Sequence, residues 1–176
     1  GVTSGTLVST LPTGNVTDPD GASVAKGIAV TATSQANGTW YYSTDSGTTW
    51  TTVGVVSGAN SLLLRSTDRL YFAPASNFNG TAASALTVLA WDTTTGTAGQ
   101  KVSTGTTGGT TAFSTASRTV DVTVSAVNDA PVASGSATLA ADAEDTALAL
   151  LNTATVTSLF AGNFSDTDRK STRLNS

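Results

Sequence analysis

The sequence contains no cysteine, no histidine and no methionine, and only 11% of its 176 residues are charged. A typical globular domain carries about 25% charged residues. Without Cys there is no disulfide, no thiolate zinc site and no thiol nucleophile. Without His there is no haem-His ligation and no imidazole base for a Ser-His-Asp triad. Proline is scarce, at four residues, and aromatic residues make up 6%. No segment approaches the roughly 18 consecutive apolar residues that suggest a membrane-spanning helix, and no basic stretch followed by an apolar one opens the chain. Any enzyme written in this alphabet would have to work with carboxylates, hydroxyls and a few Lys or Arg.

What is abundant is Thr (35 residues), Ser (21), Gly (17) and Val (16). Hydrophobic content is 39%, enough for one core because the apolar residues are mostly strand formers. The length suggests one domain, or one and a fraction. The first residue is Gly1, so the sequence reads as an excerpt of a longer chain, with any export signal outside it. β-branched alternation broken by Gly, Asn, Asp and Pro predicts an all-β, antiparallel β-sandwich. Strands are expected over residues 23–33, 38–44, 48–55, 61–72, 85–90 and 118–126. Residues 39–53 read as a hairpin around Asp45-Ser46-Gly47. In 119–124 the period is strictly two, with valines on one face and Thr or Asp on the other. Residues 139–151, dense in Ala and Leu, compete between strand and short helix. Residues 93–111 are low-complexity Gly/Thr sequence with little to bury and read as a long loop.

A partial internal repeat organises the rest. Val8-Ser9-Thr10-Leu11, followed by Gly14-Asn15-Val16-Thr17-Asp18-Pro19-Asp20, recurs as Val156-Thr157-Ser158-Leu159, followed by Gly162-Asn163-Phe164-Ser165-Asp166-Thr167-Asp168. The offset is 148 residues, without a gap. This is the pattern of a tandem array cut out of register. Pro131 and the turn-forming Asn128-Asp129 mark the boundary. The division is therefore 1–131 for one repeat truncated at its start, 132–168 for the opening of a second, and 169–176 for a tail that breaks the pattern and reads as non-native. That tail holds Arg169, Lys170 and Arg173. The net charge of −4 becomes −7 without it, from twelve acids against five bases. An acidic surface without basic patches argues against nucleic acid as a partner.

Eleven of the twelve acids are Asp. Eight lie in short motifs: Asp18-x-Asp20, Asp92, Asn128-Asp129, Glu144-Asp145 and Asp166-x-Asp168. Ca²⁺ takes six to eight hard oxygens, which Asp and Asn side chains and adjacent carbonyls supply. A D-x-D pair in extended backbone points both carboxylates to one side. An ion held at a domain boundary would stiffen a joint that otherwise flexes. The alternative for each Asp taken singly is a turn cap.

Together, Val127-Asn128-Asp129-Ala130-Pro131, Glu144-Asp145-Thr146, Asn163-Phe164-Ser165-Asp166-x-Asp168 and Asn77-Phe78-Asn79-Gly80 resemble cadherin-like tandem repeats of large bacterial surface adhesins, of the kind found in RTX- and VCBS-type repeat proteins. The hairpin over 38–50 looks like the one those repeats carry. The resemblance covers residues 5–168. It implies a cadherin- or immunoglobulin-like sandwich with calcium between successive domains. It makes Asn128 and Asp129 the linker ligands, Glu144 the early acid, Asp18/Asp20 and Asp166/Asp168 the pairs, and Asp92 the late Asp, with Asp145 beside Glu144 a further candidate metal ligand. The first copy lacks its early Glu and the second stops after its pair, so no junction is complete in this sequence. The implied role is structural and adhesive: an extracellular, cell-surface or secreted stalk for cell adhesion or biofilm. Its partners would be neighbouring repeats, like repeats on other cells or surface glycans.

Two other constellations remain. Ser43-x-Asp45-x-Gly47-x-x-Trp50 has the spacing of the Asp boxes of sialidase-type propellers, but only one copy is present where a propeller needs one per blade. It is expected to be a structural hairpin in which Ser and Asp tie the turn, Gly takes a positive φ and Trp packs beneath. The aromatics Trp40, Tyr41, Tyr42, Trp50, Tyr71, Phe72 and Trp91 suggest a sugar-stacking face, hence the alternative of a carbohydrate-binding module of a secreted enzyme. The competing expectation is a core in which Trp40, Tyr42 and Trp50 share one face of the hairpin. Adjacent, similar acids do not propose the distinct acid and base of a glycosidase, and the chain is expected not to be an enzyme.

Overall fold

The computed structural model describes residues 4–11, 26–145, 154–159 and 161–165. The chain divides into two compact units, Gly1–Ser125 and Ala126–Ser176.

The first unit is an antiparallel β-sandwich. One sheet has the order β1-β6-β3-β4, from β1 (Thr6–Leu7), β6 (Arg69–Pro74), β3 (Gly38–Ser43) and β4 (Thr51–Thr52). The other has the order β8-β5-β2-β7-β9, from β8 (Lys101–Val102), β5 (Ser61–Arg65), β2 (Gly27–Thr33), β7 (Gly80–Trp91) and β9 (Phe113–Val124). Every strand pair is antiparallel. A 3₁₀ turn, Val8–Thr10, follows β1 and buries Val8. The main core includes Ile28 and Val30 of β2, Leu62 and Leu64 of β5, Leu86 and Val88 of β7, with Trp40 of β3 and Leu70 and Phe72 of β6. These are alternate residues of each strand, as the pleat requires for one face.

The intervening residues explain why β2 and β5 read as continuous apolar runs rather than alternations. Ala29, Leu63 and Leu89 point to the far side of the five-stranded sheet, where they form a second buried cluster with Trp91, Ala112 and Phe113. The segment 93–112 covers it. Trp91 Nε1 donates to Thr95 O at 2.8 Å, Ala98 and Val102 pack on the cluster, and Thr104 is buried. Gly96 has φ +80°, and a Cβ there would lie 2.5 Å from Leu63 Cδ1. Contrary to the expectation of a loop with little to bury, this segment contributes β8, paired with β5 through Ser61↔Val102 and Leu62↔Lys101. Each of the fully buried Leu62, Leu63 and Leu64 contributes roughly 1.5–3 kcal/mol by leaving water.

Strand boundaries differ from expectation in identifiable places. Residues 61–72 are two strands, because Ser66-Thr67-Asp68 makes a turn in which Asp68 N–H donates to Arg65 O at 3.0 Å. The 85–90 strand is the core of the longer Gly80–Trp91, whereas the strand expected over 118–126 starts earlier and ends sooner, at Phe113–Val124. Of 48–55, only Thr51–Thr52 is strand, and residues 23–25 lie outside the described ones. β7 and β9 slip register between Ala82 and Leu86. There Ser84 takes φ 48° and its N–H donates to Asp121 Oδ1 at 2.7 Å. This is a β-bulge filled by a carboxylate.

In the second unit, β10 (Val132–Ala133) pairs antiparallel with β11 (Phe164–Ser165), and α1 (Val156–Leu159) is a single helical turn. Residues 139–143 have no regular structure and 144–145 form a turn, while 146–151 lie outside the described residues.

Candidate functional site

The hairpin turn between β3 and β4 is the most completely bonded polar site. Ser43 Oγ donates to Asp45 Oδ1 at 2.7 Å and accepts Gly47 N–H at 2.8 Å. Asp45 Oδ1 also accepts Thr49 N–H at 2.9 Å, and Oδ2 accepts Thr49 Oγ1–H at 2.6 Å. Ser46 (φ 65°) and Gly47 (φ +95°) both take the left-handed backbone. These bonds, led by the Thr49 hydroxyl and amide, favour the carboxylate and lower Asp45 to about 2. The S-x-D-x-G-x-x-W spacing thus does what local physics predicts for it.

Trp50 departs from the expectation for the aromatics. It does not join Trp40 and Tyr42. Its ring meets Tyr71 edge-on at 6.0 Å, and Tyr71 lies 6.4 Å from Tyr41. The register explains this: Tyr41 pairs with Thr52 and Tyr71, so Trp50, two residues before Thr52, falls on the outer face of the sheet. Trp40 is in the core, 5.1 Å from Phe72. Trp91 and Phe72 are buried too. Tyr42 packs on the core edge with its hydroxyl 3.3 Å from Gly99 O. Only Tyr41, Trp50 and Tyr71 are left half-buried on one outer surface.

The expected calcium ligands are placed as follows. Asp92 follows β7, and its Oδ1 accepts the amide (2.8 Å) and hydroxyl (2.7 Å) of Thr94. This is a side-chain turn cap. Asn128 and Asp129 are exposed beyond the end of β9, and Asn128 Nδ2 donates to Asp129 O at 3.0 Å. Glu144 and Asp145 are exposed in a turn, with Asp145 at φ 63°. Asp18, Asp20, Asp166 and Asp168 lie outside the described residues. Among the described residues no three His, Cys, Asp or Glu side chains converge. The exposed oxygens of Asn128, Asp129, Glu144 and Asp145 suit a hard cation chemically, yet those described do not by themselves fit a coordination shell.

One acid escaped the sequence reading. Asp68 is 4% exposed, and its Oδ2 accepts Arg65 N–H at 2.7 Å. Burial raises its pKa above the usual carboxylate value, against the lowering effects of that bond and of the Arg65 charge. The signal was present in the turn-forming Ser66-Thr67-Asp68 between the apolar Leu62-Leu63-Leu64 and Leu70-Tyr71-Phe72.

The two copies of the internal repeat can be compared directly. Val8-Ser9-Thr10 forms a 3₁₀ turn, and the corresponding Val156-Thr157-Ser158 begins the helical turn of α1. In the first copy the turn is docked. Val8 is 4% exposed, its N–H donates to Asp68 O at 2.9 Å, and Ser9 N–H donates to Ser66 O at 3.0 Å. In the second, Thr155 Oγ1 caps the turn by accepting Ser158 N–H at 3.1 Å, and Val156 is 63% exposed. Among the described residues no helix is long and apolar enough to cross a membrane. No protein-family model, no curated protein and no solved structure matches the chain.

Proposed function

We propose that this chain is a structural, adhesive repeat of an extracellular bacterial surface protein: a cadherin-like sandwich followed by the opening of the next. In this reading, calcium bound at the junctions stiffens a stalk, and the partners are neighbouring repeats and like repeats or glycans on other cells. The observation that carries it is the recurrence of one motif, 148 residues apart, as a helical turn in both places. The apolar Val8 is covered by a sandwich in the first copy and Val156 is exposed in the second. That difference is what an array of like units, each docking its own turn, would produce. The antiparallel sandwich and the exposed acids after β9 also support the reading. Asn128, Asp129, Glu144 and Asp145, with Asp166 and Asp168, would supply the oxygens of the junction.

Small-angle X-ray scattering with and without calcium, on a longer protein that holds two complete repeats, tests the stiffening. A rise in maximum dimension and a narrowed distance distribution at millimolar calcium support it, and identical profiles count against it. The alternative of a carbohydrate-binding module rests on Tyr41, Trp50 and Tyr71. Their rings are inclined to each other by 38° and 65°, which offers a sugar ring no flat platform. A glycan array on the wild type and Trp50→Ala separates the readings. Trp40→Ala does not, because Trp40 is a core residue.

A further inference from the structure

The sequence holds four Asn-x-Ser/Thr triplets: Asn15-Val16-Thr17, Asn37-Gly38-Thr39, Asn79-Gly80-Thr81 and Asn163-Phe164-Ser165. Such a triplet is an acceptor for N-linked sugar where a transferase can reach both the amide and the hydroxyl two residues on. A third of the chain is Ser or Thr, so the triplets alone carry little. Their settings differ, however, and the difference separates them.

Asn37 is half-buried, and its carbonyl accepts Ala75 N–H at 2.9 Å. Gly38 is buried, and a Cβ there would collide with Ala73 O and the Phe72 ring. Thr39 sits within the β3–β6 ladder opposite Ala73. A transferase cannot enclose a triplet whose central residue is buried against the opposite strand. Asn163 has its amide nitrogen committed, Nδ2 donating to Ser134 O at 2.8 Å, while its backbone carbonyl accepts Ser134 N–H at 2.8 Å. Asn15 lies outside the described residues.

Asn79 is different. The loop from β6 turns at Asn77 (φ 63°), and Phe78 anchors it by packing on the main core. Asn79 and Gly80 are then exposed, with Gly80 at φ +106° and open space around its Cα. Gly80 and Thr81 pair with Val124 and Thr123 of the edge strand β9, yet Thr81 stays exposed, its hydroxyl 3.2 Å from that of Thr123. A rigidly anchored Phe78 thus presents an accessible amide and hydroxyl on either side of an unencumbered glycine.

We propose that Asn79 is an N-glycosylation site of the folded protein, modified by a transferase that uses a nucleotide- or polyprenyl-diphosphate-activated sugar. The Asn79 carboxamide nitrogen bonds to the anomeric carbon. The bond from that carbon to the diphosphate oxygen breaks, the diphosphate leaves with the electron pair, and one carboxamide proton passes to a base of the transferase. Thr81 provides the hydroxyl that the transferase reads. The proposal does not depend on calcium or on adhesion.

The test is incubation of the folded chain with an Asn-x-Ser/Thr-specific glucosyltransferase and its UDP-glucose donor, followed by peptide mapping by mass spectrometry. The expected result is one hexose on the Asn79 peptide and none on the Asn37 and Asn163 peptides. Asn79→Gln and Thr81→Ala abolish it, and Thr81→Ser preserves it. Circular dichroism shows that each variant retains its sandwich. An unmodified Asn79 overturns the proposal, and so does modification of Asn37 or Asn163 in the folded chain to the same extent.

Discussion

Trp40 Nε1, on a strand of the four-stranded sheet, donates to Ala85 O on the five-stranded sheet across 3.0 Å of buried core. Ala85 O also accepts Ser34 N–H, just beyond β2, at 3.0 Å. One indole therefore ties the two layers of the sandwich together. Trp40→Phe keeps most of the packing and loses this bond, for an expected cost of about 1 kcal/mol. Trp40→Ala adds a cavity and costs roughly 3–5 kcal/mol. Urea unfolding followed by circular dichroism reads both; equal stability of wild type and Trp40→Ala contradicts the assignment.

The bulge between β7 and β9 depends on Asp121, whose Oδ1 accepts Ser84 N–H. Asp121→Asn retains an oxygen acceptor and is expected to be nearly neutral. Asp121→Ala leaves that amide to water and is expected to cost about 1 kcal/mol. Thermal melts of the two variants compare them, and equal losses would show that the side-chain oxygen is irrelevant.

Asp45 and Asp68 give opposite pH dependences. The folded pKa of Asp45, about 2, lies below its ordinary value of 3.8. Its contribution is therefore present above the ordinary value and is lost as pH falls through the folded one. Asp45→Asn should flatten the fall in melting temperature between about pH 4 and pH 2. Asp68, raised by burial, favours the fold when neutral. That contribution is present below the unfolded pKa and disappears as pH rises through the folded one. Asp68→Asn keeps an acceptor for Arg65 N–H and should stabilise the protein at pH 7, an advantage that closes on acidification. Melting curves from about pH 2 to pH 7 show both trends, and a wild-type-like slope in either variant contradicts its assignment.

The 93–112 segment is a cover over Leu63 and Trp91, so its glycine geometry should matter. Gly96→Ala places a Cβ against Leu63 and strains a positive-φ position. A loss of more than about 1 kcal/mol is expected. An unchanged denaturation midpoint would mean that the segment contributes nothing to the fold.

The fold was legible where local chemistry decides it. Strict alternation over 119–124 and the bonds within Ser43–Asp45–Thr49 need no distant partner. It was not legible where tertiary pairing decides. Thr and Gly in 93–111 look unburied because the cluster they cover, Ala29, Leu63 and Leu89, comes from three other strands. The face that Trp50 takes follows from β3–β4 register, which composition does not reveal. The acids of the boundary were legible as motifs. A shared coordination shell was not legible, because ligand geometry depends on backbone between distant segments, and among the described residues no three acids come together.

In the proposed function calcium at the junction acids stabilises successive repeats, and thermal melting during a calcium titration of a longer protein that holds two complete repeats tests this most directly. Binding to the folded state alone at about 100 times Kd adds about 2.7 kcal/mol. The melting temperature should therefore rise with millimolar calcium, and should not rise in a variant combining Asp129→Asn, Glu144→Gln, Asp166→Asn and Asp168→Asn. A wild-type melting temperature that stays constant through millimolar calcium contradicts calcium binding at these acids.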